Sequence, residues 1–147
     1  MEKTITLGEI GQTAKEIIKE VSHKHNDGAT VIAFYGDLGA GKTTLTQQIA
    51  KQLGVLEKVV SPTFVIMKIY KTKNNQFKKL IHIDAYRLKN SKELLALGWE
   101  EIVKDKENFV IVEWPERAPE CFIDGSHKIN MEHKDEGTRI IKFCYNK

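Results

Sequence analysis

One eight-residue stretch restricts this chain more than any other. From Gly36 to Thr43 it reads Gly-Asp-Leu-Gly-Ala-Gly-Lys-Thr, filling every fixed position of G-x-x-x-x-G-K-[ST]. Before it runs "ATVIAFY", β-branched and aromatic enough for a buried strand. After it runs "KTTLTQQIAKQLG", with Leu45, Ile49 and Leu53 on one helical face and Gly54 as the stop. A loop of this composition turns tightly and leaves main-chain N–H groups bare. Those amides, together with the positive end of the following helix, make an anion site. Gly36, Asp37, Leu38, Gly39, Ala40 and Gly41 are therefore expected to wrap phosphate. Lys42 is expected to reach the β- and γ-phosphates, Thr43 to meet Mg²⁺, and Thr44 to bond near the α-phosphate. The ligand implied is a nucleoside triphosphate with its magnesium.

The remaining pattern fits an α/β fold, a P-loop NTPase-like mixed β-sheet flanked by helices, with residues 1–147 as a single domain. "GEIGQTAKEIIKEVSHKH" places Ile10, Ala14, Ile17, Ile18 and Val21 at helical spacing. "TFVIMKIYK" and "FKKLIHIDAY" flank the polar "TKNNQ" and predict a hairpin. "SKELLALGWEEIV" predicts a short helix capped by its serine, "NFVIVEW" a central strand, and the tail "HKINMEHKDEGTRIIKFCYN" two strands turned at "KDEG".

Composition excludes several classes. Hydrophobic residues are 41% and charged residues 29%, near globular averages. The apolar runs fall well short of the ~20 residues a spanning helix needs, and "MEKTITLGEI" lacks signal-peptide order. A soluble cytoplasmic protein with no membrane association is expected. Cys121 and Cys144 have no metal-type spacing and read as free thiols. The net charge of +3 is small, but between Glu57 and Asp84 stand six lysines (Lys58, Lys68, Lys71, Lys73, Lys78 and Lys79) and no acid. That imbalance is the one electrostatic hint of an anionic partner, against the alternative of a merely solvated hairpin.

A guanine-reading Asn-Lys-x-Asp and an Asp-x-x-Gly switch are absent, which argues against a Ras-like GTPase. The three arginines, Arg87, Arg117 and Arg139, are too scattered for a kinase lid. A carboxylate completing the magnesium site is expected at the end of an apolar strand. Glu113 ends "FVIV" and Asp84 ends "LIHI". Glu113 is favoured for the metal because its strand is the more apolar, leaving Asp84 to orient a water or hold a switch. His82 shares a strand face with Asp84, but no further Cys or His gathers near them to make a transition-metal site. In "SPTF", Pro62 biases Ser61 toward extended backbone, so that Thr63 can be held out as a sensor hydroxyl.

Taken together, "GDLGAGKTT", "SPTF", "HIDAYRL" and "VEWPER" resemble, in order and spacing, the TsaE family, also called YjeE. The resemblance implies a small P-loop ATPase acting with TsaD and TsaB in forming threonylcarbamoyladenosine at position 37 of tRNA, driving or resetting that complex. It implies that Lys42 holds phosphate, that Thr43 and Glu113 serve Mg²⁺, and that Asp84 supports hydrolysis. Ser61, Pro62 and Thr63 would form the switch, with Thr63 its hydroxyl, and Trp114 would lie beside the site. Thr13 and Arg139 resemble positions at the nucleotide edge. With no evident arginine finger near the loop, hydrolysis is expected to be slow alone and faster in complex. Two other classes stay open: a small-molecule kinase and a nucleotide-gated binding module without turnover.

Overall fold

The computed structural model describes residues 2–22, 27–37, 40–122 and 125–145. Seven strands form one sheet: β1 (Glu2–Thr6), β2 (Thr30–Tyr35), β3 (Met67–Lys71), β4 (Lys79–Asp84), β5 (Asn108–Glu113), β6 (Ser126–Asp135) and β7 (Thr138–Cys144). Their order is β1-β7-β6-β2-β5-β4-β3. β6, β2, β5 and β4 run parallel, and antiparallel neighbours close both sides. The two central strands β2 and β5 are almost wholly buried, as their near-continuous apolar sequences require.

Helices α1 (Ile10–Ser22) and α2 (Lys42–Gln52) cover one face. Ile10, Ala14, Ile17 and Val21 of α1, with Leu45 and Ile49 of α2, pack over Ile32, Phe34, Leu80 and Ile111. Each such fully buried aliphatic side chain contributes about 1.5–3 kcal/mol. On the other face Leu94 of α3 (Ser91–Ala96) and Trp99 of α4 (Trp99–Lys104) cover Val31, Ala33, Ile83, Val110 and Val112. The helix expected over "SKELLALGWEEIV" is thus two short ones, divided at Gly98, whose φ of 91° ends the first. Its cap is Asn90, accepting from the Glu93 amide at 3.3 Å; Ser91 instead bonds the Glu120 carboxylate.

The hairpin also departs from expectation at both ends. "TFVIMKIYK" becomes a strand only at Met67, because the Pro62 carbonyl accepts the amides of Val65 and Ile66 and rolls Thr63–Ile66 into a turn. Phe64 and Val65 are left 84% and 67% exposed, outside the core the apolar run seemed to promise. The connection runs through Lys78, with Asn74 Oδ1 accepting from the amides of Gln76 and Phe77. Phe77 turns inward to meet Phe109 edge-on, centroids 5.0 Å apart. β1 has no counterpart in the sequence reading: only Ile5 is buried, and its partners lie on β7 at the far end of the chain.

Candidate functional site

β2, β4 and β5 are parallel and end on one edge, so Tyr35, Asp84 and Glu113 finish side by side, with Asp84 in direct register with Glu113. Such an edge, outside the carboxyl ends of parallel strands, is where α/β sheets bind ligands. The chain leaves β2 through Gly36, whose φ is 139°. A Cβ there would lie 2.3 Å from the Met131 carbonyl oxygen of β6, so no side chain fits. Leu38 and Gly39 of the expected cradle lie outside the described residues. Gly41 is the N-cap of α2 and supplies no side-chain bond, which leaves the first amides of that helix available to an anion.

A cleft of about 390 Å³ opens over this helix start. Gly41, Lys42, Thr43 and Thr44 form one wall; Ser61, Thr63, Asp84, Glu113 and Trp114 form the other, and Leu7 and Arg139 complete it. Gly36, Asp37 and Ala40 line a neighbouring hollow of about 490 Å³, beside Asn130, Glu132 and His133. Pro62 is buried behind the cleft wall. Thr13 is not brought to the cleft. It sits on the buried stripe of α1 that also carries Ile10 and Ile17, with its hydroxyl donating to the Glu9 carbonyl at 2.9 Å.

The Lys42 ammonium donates to the Gly36 carbonyl and stands 4.2 Å from the centroid of the Trp114 ring. Burial pushes its pKa down, against the opposing pull of Glu113, Glu116, Asp84 and Asp37. Trp114 pays a backbone strain to be there: φ is 57° and ψ 48°, a left-handed conformation costing an L-residue about 1–2 kcal/mol. Its ring also leans on Tyr86, centroids 5.1 Å apart.

Asp84 is held from three sides, accepting from the Thr63 hydroxyl at 2.9 Å, the Ser61 hydroxyl at 3.5 Å and the Tyr86 amide at 3.0 Å. Ser61 and Thr63 also bond each other at 2.8 Å. Their turn is anchored by Ile66, which at φ 71° adopts a backbone rare for a β-branched residue and accepts the Asp84 amide at 2.8 Å. Glu113, 4% exposed, is bonded at 2.6 Å to His82 Nε2.

Arg139, which the resemblance sets at the nucleotide edge, lines the cleft. Its Nε donates to the Ala40 carbonyl at 3.1 Å and its Nη1 to the Asp135 and Thr138 carbonyls at 2.9 and 2.8 Å. Arg87 instead stacks on Phe64, 4.6 Å from the ring centroid. Leu7 was missed from sequence, though a signal existed: Thr6-x-x-Glu9 is a capping-box pattern, and the Glu9 carboxylate accepts from the Thr6 amide and hydroxyl, fixing the turn that carries Leu7.

Magnesium and a triphosphate suit this donor set. The hydroxyl of Thr43 and the carboxylates of Asp84 and Glu113 are hard oxygen ligands, and magnesium characteristically takes one or two carboxylates and completes its shell with phosphate and water. Among the described residues no group of three or more His, Cys, Asp or Glu is placed to hold a metal by itself.

The family model described as Threonylcarbamoyl adenosine biosynthesis protein TsaE matches residues 6–141. The chain belongs to the TsaE family. Among its relatives, the Rickettsia felis tRNA threonylcarbamoyladenosine biosynthesis protein TsaE is 35% identical over 126 residues, spanning 85% of this chain and 69% of that protein. The Nostoc protein of the same description is 40% identical over 117 residues, 75% of this chain and 67% of its own. The crystal structure of Bacillus subtilis YdiB superposes with a TM-score of 0.69 at 26% identity, covering 97% of this chain and 83% of that one. The mixed α/β sheet expected from the sequence is thus found both in this TsaE chain and in that neighbour.

Proposed function

We propose that this TsaE-family chain binds ATP with Mg²⁺ and hydrolyses it during tRNA threonylcarbamoyladenosine formation. It acts as a single cytoplasmic domain with TsaD and TsaB, and meets tRNA through that complex. Among the described residues no helix is long and apolar enough to cross a membrane. The observation that carries the reading is convergence: Lys42, Thr43, Thr63, Asp84, Glu113 and Trp114 come from four separate stretches of sequence and line one cleft over a helix start.

In this reading the amides of the loop and of the first turn of α2 bind phosphate. The Lys42 ammonium leaves the Gly36 carbonyl for the β- and γ-phosphates, and Trp114 holds it on that side of the cleft. Thr43 and Glu113 hold the magnesium, which supplies neutralisation of phosphate charge when bound. Asp84 keeps the 61–63 hydroxyls at the cleft wall and orients the attacking water. Arg139 braces the loop through Ala40, and the guanidinium groups that the reaction needs come from Arg87 or a partner. Such a contribution is worth ~10³ or more in rate.

Purified chain, TsaB, TsaD and tRNA test this directly, by measuring phosphate release and tRNA modification with and without the chain. The expected result is weak hydrolysis alone, faster hydrolysis with partners, and tRNA modification that depends on the chain. Equal turnover with and without TsaB and TsaD would refute partner dependence. Binding of MgATP with no turnover in either setting would make the chain a nucleotide-gated module, and phosphate transfer to an added small acceptor would make it a kinase.

A further inference from the structure

His82 belongs to none of the roles assigned above, yet it is fully buried on β4 with its ring against the most important carboxylate of the cleft. The register of β4 and β5 pairs Asp84 with Glu113 directly, so two buried carboxylates sit on adjacent strands at the cleft floor. Like charges so placed repel, and each needs its own donors to stay in position. Asp84 has Thr63, Ser61 and the Tyr86 amide. Glu113 has His82, whose Nε2 lies 2.6 Å from Glu113 Oε2.

The ring's other nitrogen decides its tautomer. Nδ1 is buried and finds no hydrogen-bond partner among the described residues, so a proton there would be stranded. The proton therefore belongs on Nε2, where it is donated to Glu113. This bond occupies Oε2, and because Glu113 lines the cleft, Oε1 is the oxygen left to meet a ligand there.

We infer that His82 is a positioning residue for Glu113: its Nε2–H fixes the carboxylate so that one oxygen faces the nucleotide's magnesium. The inference rests on the ATPase reading for the metal. Outer partners that orient metal ligands typically change metal affinity 10- to 100-fold when removed. His82→Leu keeps an apolar body and deletes the donor; His82→Gln returns an N–H near the position of Nε2.

Titration calorimetry of ATP into each variant, with Mg²⁺ and with chelator, reads the effect without relying on turnover. For His82→Leu, the magnesium concentration giving half-maximal tightening of ATP should rise roughly 10-fold or more, while ATP affinity in chelator stays within about 2-fold. His82→Gln should recover most of the loss. In the metal-free wild type, long-range ¹H–¹⁵N spectra should show the Nε2-protonated ring, and Glu113→Ala should shift its Nε2 proton resonance. Unchanged magnesium dependence in a folded His82→Leu, a Gln variant no better than Leu, or an Nδ1-protonated ring would each overturn the inference. Wild-type chain whose ATP binding ignores magnesium would instead overturn the ATPase reading, and this inference with it.

Discussion

Replacing Gly36 by alanine tests the loop geometry most sharply, because two separable penalties meet there. At φ 139° any L-side chain is strained, at about 1–3 kcal/mol. The new Cβ would also lie 2.3 Å from the Met131 carbonyl oxygen, where ordinary carbon–oxygen contacts begin near 3.3 Å. Relief requires the loop or β6 to move by about 1 Å, and Met131 is fully buried with no slack, so forced overpacking adds about 1–3 kcal/mol. Gly98 serves as the control. Its φ of 91° imposes a comparable strain, but nothing lies within 4 Å of an added Cβ. At roughly 2–4 °C per kcal/mol for a chain of this size, and about 2 kcal/mol for each penalty, Gly98→Ala should lower Tm by about 4–8 °C and Gly36→Ala by about 8–16 °C. Differential scanning calorimetry with and without MgATP reads both the loss and the nucleotide's stabilisation, about 2.7 kcal/mol at a hundred times Kd. Gly98→Ala should retain that stabilisation and Gly36→Ala should lose it. Equal melting temperatures, or undiminished stabilisation of Gly36→Ala by nucleotide, would refute the close-approach argument.

Glu113→Ala should abolish phosphate release while leaving ATP binding largely intact; loss of metal-dependent affinity alone, in a chain that never turned over, would favour the binding-module reading. Lys71, Lys73, Lys78 and Lys79 are exposed at the end of β4 opposite the cleft, roughly 17 Å along the strand from Asp84. Tyr70 and Phe77 are buried there and cannot stack on bases, so any anion met at this end is met by charge alone. Reversing Lys71, Lys73 and Lys78 to glutamate should weaken assembly with the partner complex and tRNA and flatten its salt dependence in a binding titration, whereas unchanged binding would leave a merely solvated hairpin. The Thr6 amide and hydroxyl hold the Glu9 carboxyl below its ordinary 4.5, and the Thr138 hydroxyl and Gly137 amide hold Asp135 below 3.8. Both folded-state values are depressed, so the stability they contribute is present above the ordinary values and lost as pH falls through the lowered ones. Thermal melts taken down through the carboxylate range should fall less steeply for Glu9→Gln and Asp135→Asn than for the wild type.

What the sequence makes legible here is what local physics decides. The strand before Gly36 and the helix after Gly41 are read correctly because their signals lie within a few residues of one another: an apolar run, then helical spacing. The Asn90 cap was equally local and was misread by weighting Ser91 over its neighbour, and the split of α3 from α4 was missed by reading through Gly98. β1 was invisible for a different reason, since a lone buried Ile5 carries no periodicity and its partners on β7 lie more than 130 residues away. The same division runs through the site. Thr13 looked available by sequence, yet helical periodicity sets it on the stripe of Ile10 and Ile17, which fixes it inward whatever its chemistry. The pairing of His82 with Glu113 depends on parallel strands 31 residues apart coming into register, a relation that side-chain spacing within either strand cannot express. The turn at Thr63–Ile66 is more instructive still. Its apolar residues argue for a strand, but the Pro62 carbonyl and the left-handed Ile66 hold it open, leaving Phe64 exposed beside Arg87. A segment that spends backbone strain to keep apolar residues in water and two hydroxyls on Asp84 is tied to the cleft by only a few hydrogen bonds. A ligand that takes those bonds over can therefore free the two hydroxyls while Pro62 stays buried and Ile66 stays packed on the core, and that is the physical requirement for the switch proposed at Ser61, Pro62 and Thr63.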